Sequence, residues 1–363
     1  MKKWMLLLLA VISVSCSQNR NLLTLFIGTY TDGFYAYSFD EEEGAVVSEG
    51  SFPEAPGAFA KACMPNPSYL TRRGEMVYAV SEMSDSTASV WSWKFWGDSL
   101  QCVASAPTGG EAGTAPCYVS TDGRYVAVAN YSGGSMAFYR VQPGGAVVRP
   151  DSLILSGAGG PDFRRQGTPH VHCAVFAPDG KYLFFSEFSA DEIGVCDLSP
   201  LGIRNYRKAA DADPDTGPRH LLFDPSGKHL YLIGELSGAI TVFDYDDGNL
   251  IRKQVINADP AGARGAADIH FSPDGKFLYA SIRLRNDGIA IFKVSEDGTL
   301  TEAGYQPTGI HPRHFNITPN GKFLLVACRD SNGIQIFRRD SRTGLLQDTE
   351  RRILLEKPVC VCY

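Results

Sequence analysis

The sequence predicts an all-β chain folded as a seven-bladed β-propeller, and three observations carry that prediction. The first is a recurring phrase, apolar run, Gly turn, apolar run. It reads AVFAPDGKYLFF at 174–185, LLFDPSGKHLYLI at 221–233, IHFSPDGKFLYASI at 269–282 and FNITPNGKFLLVA at 315–327, with weaker copies at 69–80 and 118–129. The turn glycines Gly74, Gly123, Gly180, Gly227, Gly275 and Gly321 lie 49, 57, 47, 48 and 46 residues apart. A period near fifty built from strand–turn–strand units is the mark of propeller blades. The second observation is that each repeat has room for four strands. Around Gly180 these are HVHCAVFA, KYLFFSEF, EIGVCDL and a polar outer strand near 203–209, and outer strands near 250–256 and 300–305 serve the next two repeats. The third concerns the ends of the chain. LTLFIGTY at 23–30, GFYAYSF at 33–39 and AVVSEGS at 45–51 supply three strands, and PVCVCY at 358–363 supplies the innermost one. Joining both ends in a seventh blade closes the ring and removes an open sheet edge.

One blade cannot bury its faces without neighbours, so residues 17–363 are expected to form a single propeller. Residues 1–16 have a different character. Lys2 and Lys3 precede an apolar stretch from Trp4 to Val14, too short to span a bilayer as a mature helix, and Ser13-Val14-Ser15-Cys16 follows. This resembles a bacterial lipoprotein signal with Cys16 as the lipidated residue, although Ser13 replaces the usual Leu-like residue. An ordinary cleaved signal peptide is the alternative. The expected location is exported, facing the periplasm, with membrane association through the lipid anchor alone.

The remaining cysteines, Cys63, Cys102, Cys117, Cys173, Cys196, Cys328, Cys360 and Cys362, mostly sit in apolar strand runs, where Cys behaves as a small hydrophobe. No disulfide framework is legible. The net charge of -6, with Lys and Arg scattered, argues against a nucleic-acid partner.

In a four-stranded blade the innermost strand lines the channel, and the second runs back beside it. The start of one and the end of the other meet on the face opposite the Gly hairpins. At that level the apolar runs stop at Glu82, Asn130, Glu187, Glu235, Arg283 and Arg329. Eight residues before the glycines stand Asn66, Ala115, His172, Arg219, Ala267 and Arg313, with His220, Asp268, His314, His170 and His311 close by. Any one of these could be an inter-blade ion pair or a cap on loop backbone. As a column at a channel mouth they point to a polar site: Arg for anions, His for proton transfer, carboxylates to orient. No G-x-S-x-G elbow, Walker loop or H-E-x-x-H motif accompanies them. His170 and His172 form an H-x-H pair that, with Glu187 or Glu235, could ligate a metal, but the neighbouring guanidinium groups would repel a cation. No cofactor is expected.

At these residues the chain resembles the lactonase family of seven-bladed propellers, which includes propeller-type 6-phosphogluconolactonases and carboxy-muconate lactonising enzymes. The resemblance runs through FIGTYTDGFYAYSFD, NPSYL, ANYSGGS, TPHVHCAVFAPDG, GPRHLLFDPSGKHLY, ADIHFSPDGKFLYAS and HPRHFNITPNGKFLLVA, in that order. It implies His172, Arg219, Glu235 and Arg283 as catalytic residues. His170, His220, Glu187, Asn130, Arg313, His314, Arg329 and Glu82 are then expected to contact substrate. Three stretches depart from the family: Ser-Ile-Arg at 281–283 for Ser-Asn-Arg, Ser-Glu-Phe at 186–188 for Asp-Leu-Gly, and Ala-Cys-Arg at 327–329 for Ala-Asn-Gln. The implied activity is hydrolysis of a small anionic lactone or sugar-acid derivative. His172 would act as general base, Arg219 and Arg283 would stabilise anionic groups, and Glu235 would orient His172 or carry a proton to the ring oxygen. A lactonising cycloisomerase and a non-catalytic ligand-binding propeller are the competing readings.

Overall fold

Seven antiparallel sheets surround one axis in the computed structural model, which describes residues 22–50, 52–109, 114–148 and 152–363. The expected signal segment and Cys16 lie outside the described residues. From the axis outward, the first blade runs Pro67–Arg73, Met76–Ser81, Ser89–Trp96 and Ser99–Pro107. Five more four-stranded blades follow, with innermost strands Pro116–Thr121, Val171–Phe176, Pro218–Phe223, Ala266–Phe271 and Pro312–Ile317. Outer strands at Gly202–Asp211, Asn249–Asn257 and Leu300–Pro307 stand where the sequence predicts them. All six turn glycines have positive φ, from 61° at Gly74 to 90° at Gly123, a conformation that side-chain-bearing residues rarely adopt.

The closing blade joins the two ends of the chain. Pro358–Cys362 is its innermost strand and pairs with Leu22–Thr29, which pairs with Gly33–Asp40. Alternate side chains of this sheet face opposite neighbours, as strand geometry requires. Leu25, Ile27, Tyr35, Tyr37 and Val361 pack on Leu325, Ile334 and Ile336 of the sixth blade. Phe26, Phe34, Ala36, Cys360 and Cys362 pack on Leu70, Val77 and Trp93 of the first. The outer strand corrects the expectation for 45–51. Only Ala45–Val46 pairs there, and the edge is completed by Ala60–Cys63, because Pro53, Pro56 and left-handed Gly57 (φ 85°) break the run between them. The eight described cysteines are free thiols.

Every innermost strand carries one register shift near its start, against the second strand of its blade. The extra residue is Ser68, Cys117, His172, Arg219, Arg313 or Val359 in six blades and falls within Ala267–Asp268 in the fifth. A bulge breaks the in–out alternation and re-aims a side chain. These six named side chains all line the axial cavities. Two residues upstream, Asn66, Ala115, Gly217, His311 and Lys357 hold positive φ, which turns the chain from the outer edge of one blade onto the axis of the next.

If the terminal strand closes the ring, a chain ending at Lys357 exposes the apolar faces of two blades. It is expected to lose its cooperative thermal transition or to melt at least 10 °C lower, since each buried Val alone contributes about 1.5–3 kcal/mol. Calorimetry on the truncated chain checks this, and an unchanged Tm would contradict it.

Candidate active site

The bulged residues and the ends of the second strands converge on a pocket of about 190 Å³ at the channel mouth, lined by Tyr30, Glu82, Cys117, Tyr131, Arg165, His172, Glu235, Arg283 and Arg313. Glu235, just past His229–Gly234, gathers the cations. Its Oε1 accepts from Arg165 Nη2 at 2.6 Å, and its Oε2 accepts from Arg219 Nε at 2.9 Å and lies 3.2 Å from Arg283 Nη2. Burial alone would raise the pKa of this carboxyl, but Arg283, Arg219 and Arg165 overcome it and hold Glu235 at about 2. Two guanidinium groups are further anchored by backbone. Arg219 Nη1 donates to Ala267 O at 2.5 Å, and Arg283 Nε donates to Gly265 O at 2.8 Å. Burial pulls Arg283 down to about 9, with Glu235 opposing, so it remains a cation at neutral pH. Glu82 accepts from Tyr30 Oη at 2.9 Å and stands 3.8 Å from Arg313 Nη2. With Arg219 behind the wall, four guanidinium groups face two carboxylates, a surplus of two positive charges.

His172 is buried beside Cys117 and Tyr131. Burial, then Arg219, His220 and Arg313, push its pKa well below the ordinary histidine value. It is a neutral imidazole at pH 7, with a lone pair able to take a proton.

Below the pocket a second carboxylate plugs the axis. Arg219 Nη1 lies 3.1 Å from His220 Nε2; a guanidinium only donates, so Nε2 accepts and the proton sits on Nδ1, 2.8 Å from Asp268 Oδ1. His314 Nδ1 accepts from Val361 N at 3.2 Å, which leaves its Nε2–H facing Asp268 Oδ2 at 3.5 Å. His270 Nε2 and the amides of Ile269 and Phe315 complete the shell around Asp268 at 2.9, 3.0 and 3.2 Å. Asp268, His270 and His314 are near enough to share a metal ion. The hydrogen-bond pattern favours another use, since the His314 nitrogen that faces the carboxylate keeps its proton and has no lone pair to offer.

The Lactonase, 7-bladed beta-propeller family model matches residues 24–363. The chain belongs to this lactonase family. A 6-phosphogluconolactonase of Formosa agariphila is 33% identical over 350 residues, covering 91% of this chain and 96% of the relative. Among solved structures, a Bacteroides uniformis protein provisionally named a 6-phosphogluconolactonase is 50% identical with a TM-score of 0.88, over 94% of this chain and 99% of that one. The periplasmic gluconolactonase of Pseudomonas aeruginosa is 30% identical with a TM-score of 0.83, over 94% and 98%.

In this lactonase fold His172, Glu235, Arg283, Glu82 and Arg313 line one pocket, and Arg219 stands behind its wall, bonded to Glu235. His220 and His314 sit in the plug below. His170 stands beside the pocket, stacked on Tyr131 at 4.1 Å with Nδ1 2.7 Å from Tyr131 O. Three expected substrate contacts are corrected. Asn130 donates to Thr108 O at 2.7 Å and Ser135 Oγ at 3.0 Å. Glu187 accepts from Tyr206 Oη at 2.6 Å and Ser156 Oγ at 2.8 Å. Arg329 forks onto Asp330 at 2.7 and 2.8 Å. These three side chains are held by other protein groups and lie outside the pocket lining. The expected partnership of Glu235 with His172 is also corrected, because among the described residues its carboxylate pairs only with arginines.

Arg165, Tyr131 and Tyr30 are pocket residues that sequence reasoning passed over. Arg165 belongs to a short helix, Phe163–Gln166, capped by Asp162. Its signal was the 57-residue gap between Gly123 and Gly180, the longest in the chain. Arg264 ties this segment to the next blade connection by binding Asp162 at 2.6 Å and Asp215 at 2.6 and 2.8 Å. Tyr131 lies in ANYSGGS, next to Asn130.

The buried histidines make stability depend on pH. Burial lowers His220 to about 3 and His314 to about 4, and His172 is lowered as well. Below about pH 6.5 the unfolded chain takes up protons that these groups refuse in the native state, so stability falls on acidification, by about 1.4 kcal/mol per pH unit for each such histidine. Chemical unfolding between pH 7 and pH 5 checks this; a flat profile would contradict it.

Proposed function

We propose that the protein is a lactone hydrolase whose preferred substrate carries a carboxylate or phosphate. The observation that carries this reading is the surplus of guanidinium charge around a neutral imidazole. Neutral His172 takes a proton from water as that water attacks the lactone carbonyl. Arg283, which lines the pocket, stabilises the oxyanion. On collapse, the C–O bond to the ring oxygen breaks, and the imidazolium returns its proton to that oxygen. Glu235, held at about 2, is a poor proton donor at neutral pH. It acts as a positioning residue that keeps Arg165, Arg219 and Arg283 converged without mutual repulsion. Relatives and solved structures named as phosphogluconolactonase and gluconolactonase support the reaction class, and the anionic preference is read from the pocket charge.

We further propose export as a lipoprotein anchored through Cys16. The support is the Lys2-Lys3 and Ser13–Cys16 pattern together with the periplasmic neighbour.

His172→Ala is expected to lower kcat by about 10²–10⁴-fold while leaving the circular dichroism spectrum and Tm near those of the parent. Full activity in this variant would overturn the base assignment. Glu235→Gln should instead lose activity and stability together, by about 3–5 kcal/mol for a broken buried ion pair. Matched assays with 6-phosphogluconolactone and glucono-1,5-lactone test the charge preference; equal kcat/KM for the two would remove it.

A further inference from the structure

Beneath the substrate pocket, the axis holds a smaller cavity of about 10 Å³, lined by Ser68, Tyr69, Cys117, Arg219, His220, Arg313, His314 and Val359. Cys117 and Arg313 line both spaces, so the smaller one forms the floor of the larger. Its volume admits one water-sized or halide-sized species and excludes a phosphate.

The lining is unusual in what it offers. Ser68 is buried, 2% exposed, and its Oγ has no hydrogen-bond partner among the described residues. Arg313 presents five N–H groups, none of which meets an acceptor at hydrogen-bond distance among the described residues. Its contacts are the 3.8 Å approach to Glu82 and the face of the Tyr30 ring at 5.2 Å. Arg219 adds its uncommitted Nη2. The acceptors nearby are already taken. His220 Nε2 is used by Arg219, His314 Nδ1 by the Val361 amide, and the Cys117 thiol donates to His172 O at 3.4 Å. Asp268 lies behind the two histidines, covered by donors from three imidazoles and two amides. A water molecule must donate as well as accept, and here it would find many donors and few acceptors. A species that only accepts, and carries negative charge opposite two guanidinium groups, is the better complement.

We infer that this cavity is a binding site for a small monovalent anion, of the halide class, held by Ser68 Oγ and the guanidinium groups of Arg219 and Arg313. The bound anion offsets part of the pocket's surplus positive charge from below, and so holds Arg313 in place at the floor on which substrate rests. The site is independent of the lactonase reading, because it is defined without substrate.

The test uses the folded protein alone. Crystals soaked in sodium bromide and measured at the bromine edge should show an anomalous peak between Ser68 and the two guanidinium groups. In solution, bromide should raise Tm saturably by about 2–4 °C over sodium gluconate of equal ionic strength. Ser68→Val, which fills the cavity and removes the hydroxyl, should abolish the difference. Should that variant not fold, Arg313→Gln should abolish it too. Absence of the anomalous peak at saturating bromide, or a bromide effect that persists in Ser68→Val or in Arg313→Gln, would overturn the site. Lactone turnover is not read in either experiment, so failure here leaves the proposed reaction standing.

Discussion

Six of the seven innermost strands deliver polar side chains to one axis, and that axis is largely cut off from bulk water. Every charge placed there has to be paired, neutralised or matched by a ligand. Two carboxylates meet this constraint at two depths. Glu235 collects three guanidinium groups at the mouth, and Asp268 collects three imidazoles and two amides below. Arg219 and His220, adjacent in the chain, link the two layers through the bond from Nη1 to Nε2. Side-chain direction at the mouth therefore depends on hydrogen bonds that begin deep in the plug.

The chemistry of the pocket follows from the same constraint. Burial beside cations keeps His172 neutral, the state a general base needs. The same cations keep Glu235 ionised and deny it the role of acid. Two titratable groups in one pocket are thus held in opposite states, a neutral imidazole and an ionised carboxylate, by burial and the nearby guanidinium groups. Arg329 belongs to this architecture at a distance. It grips Asp330, which faces His311 Nδ1 at 3.4 Å, and His311 Nε2 accepts from Arg283 at 3.3 Å.

Much of the ring was legible because its repeats obey local rules. A left-handed Gly in each hairpin and apolar runs on either side mark the blades, and an unpaired apolar strand at each end of the chain marks the closure. The candidate site was legible where the hairpin length is constant. Counting eight residues back from Gly180, Gly227 and Gly321 lands on the bulged His172, Arg219 and Arg313. In the first two blades the hairpin is two residues shorter, so the same count lands on Asn66 and Ala115 and passes over the bulged Ser68 and Cys117. Asn130 and Glu187 stand at the right level too, but they are claimed by loop backbone and hydroxyl partners that no periodicity reveals.

The sequence by itself determined the propeller, its seven blades, the closing strand and the polar column, since each is a local pattern repeated near every fifty residues. Tertiary structure alone decided which members of that column share a pocket, which carboxylate faces which cation, and that Arg165 reaches in from a long connection. The physical reason is distance along the chain. Glu235 and Arg165 are 70 residues apart and meet only because a connection between two blades reaches the strand end of another blade at the same mouth.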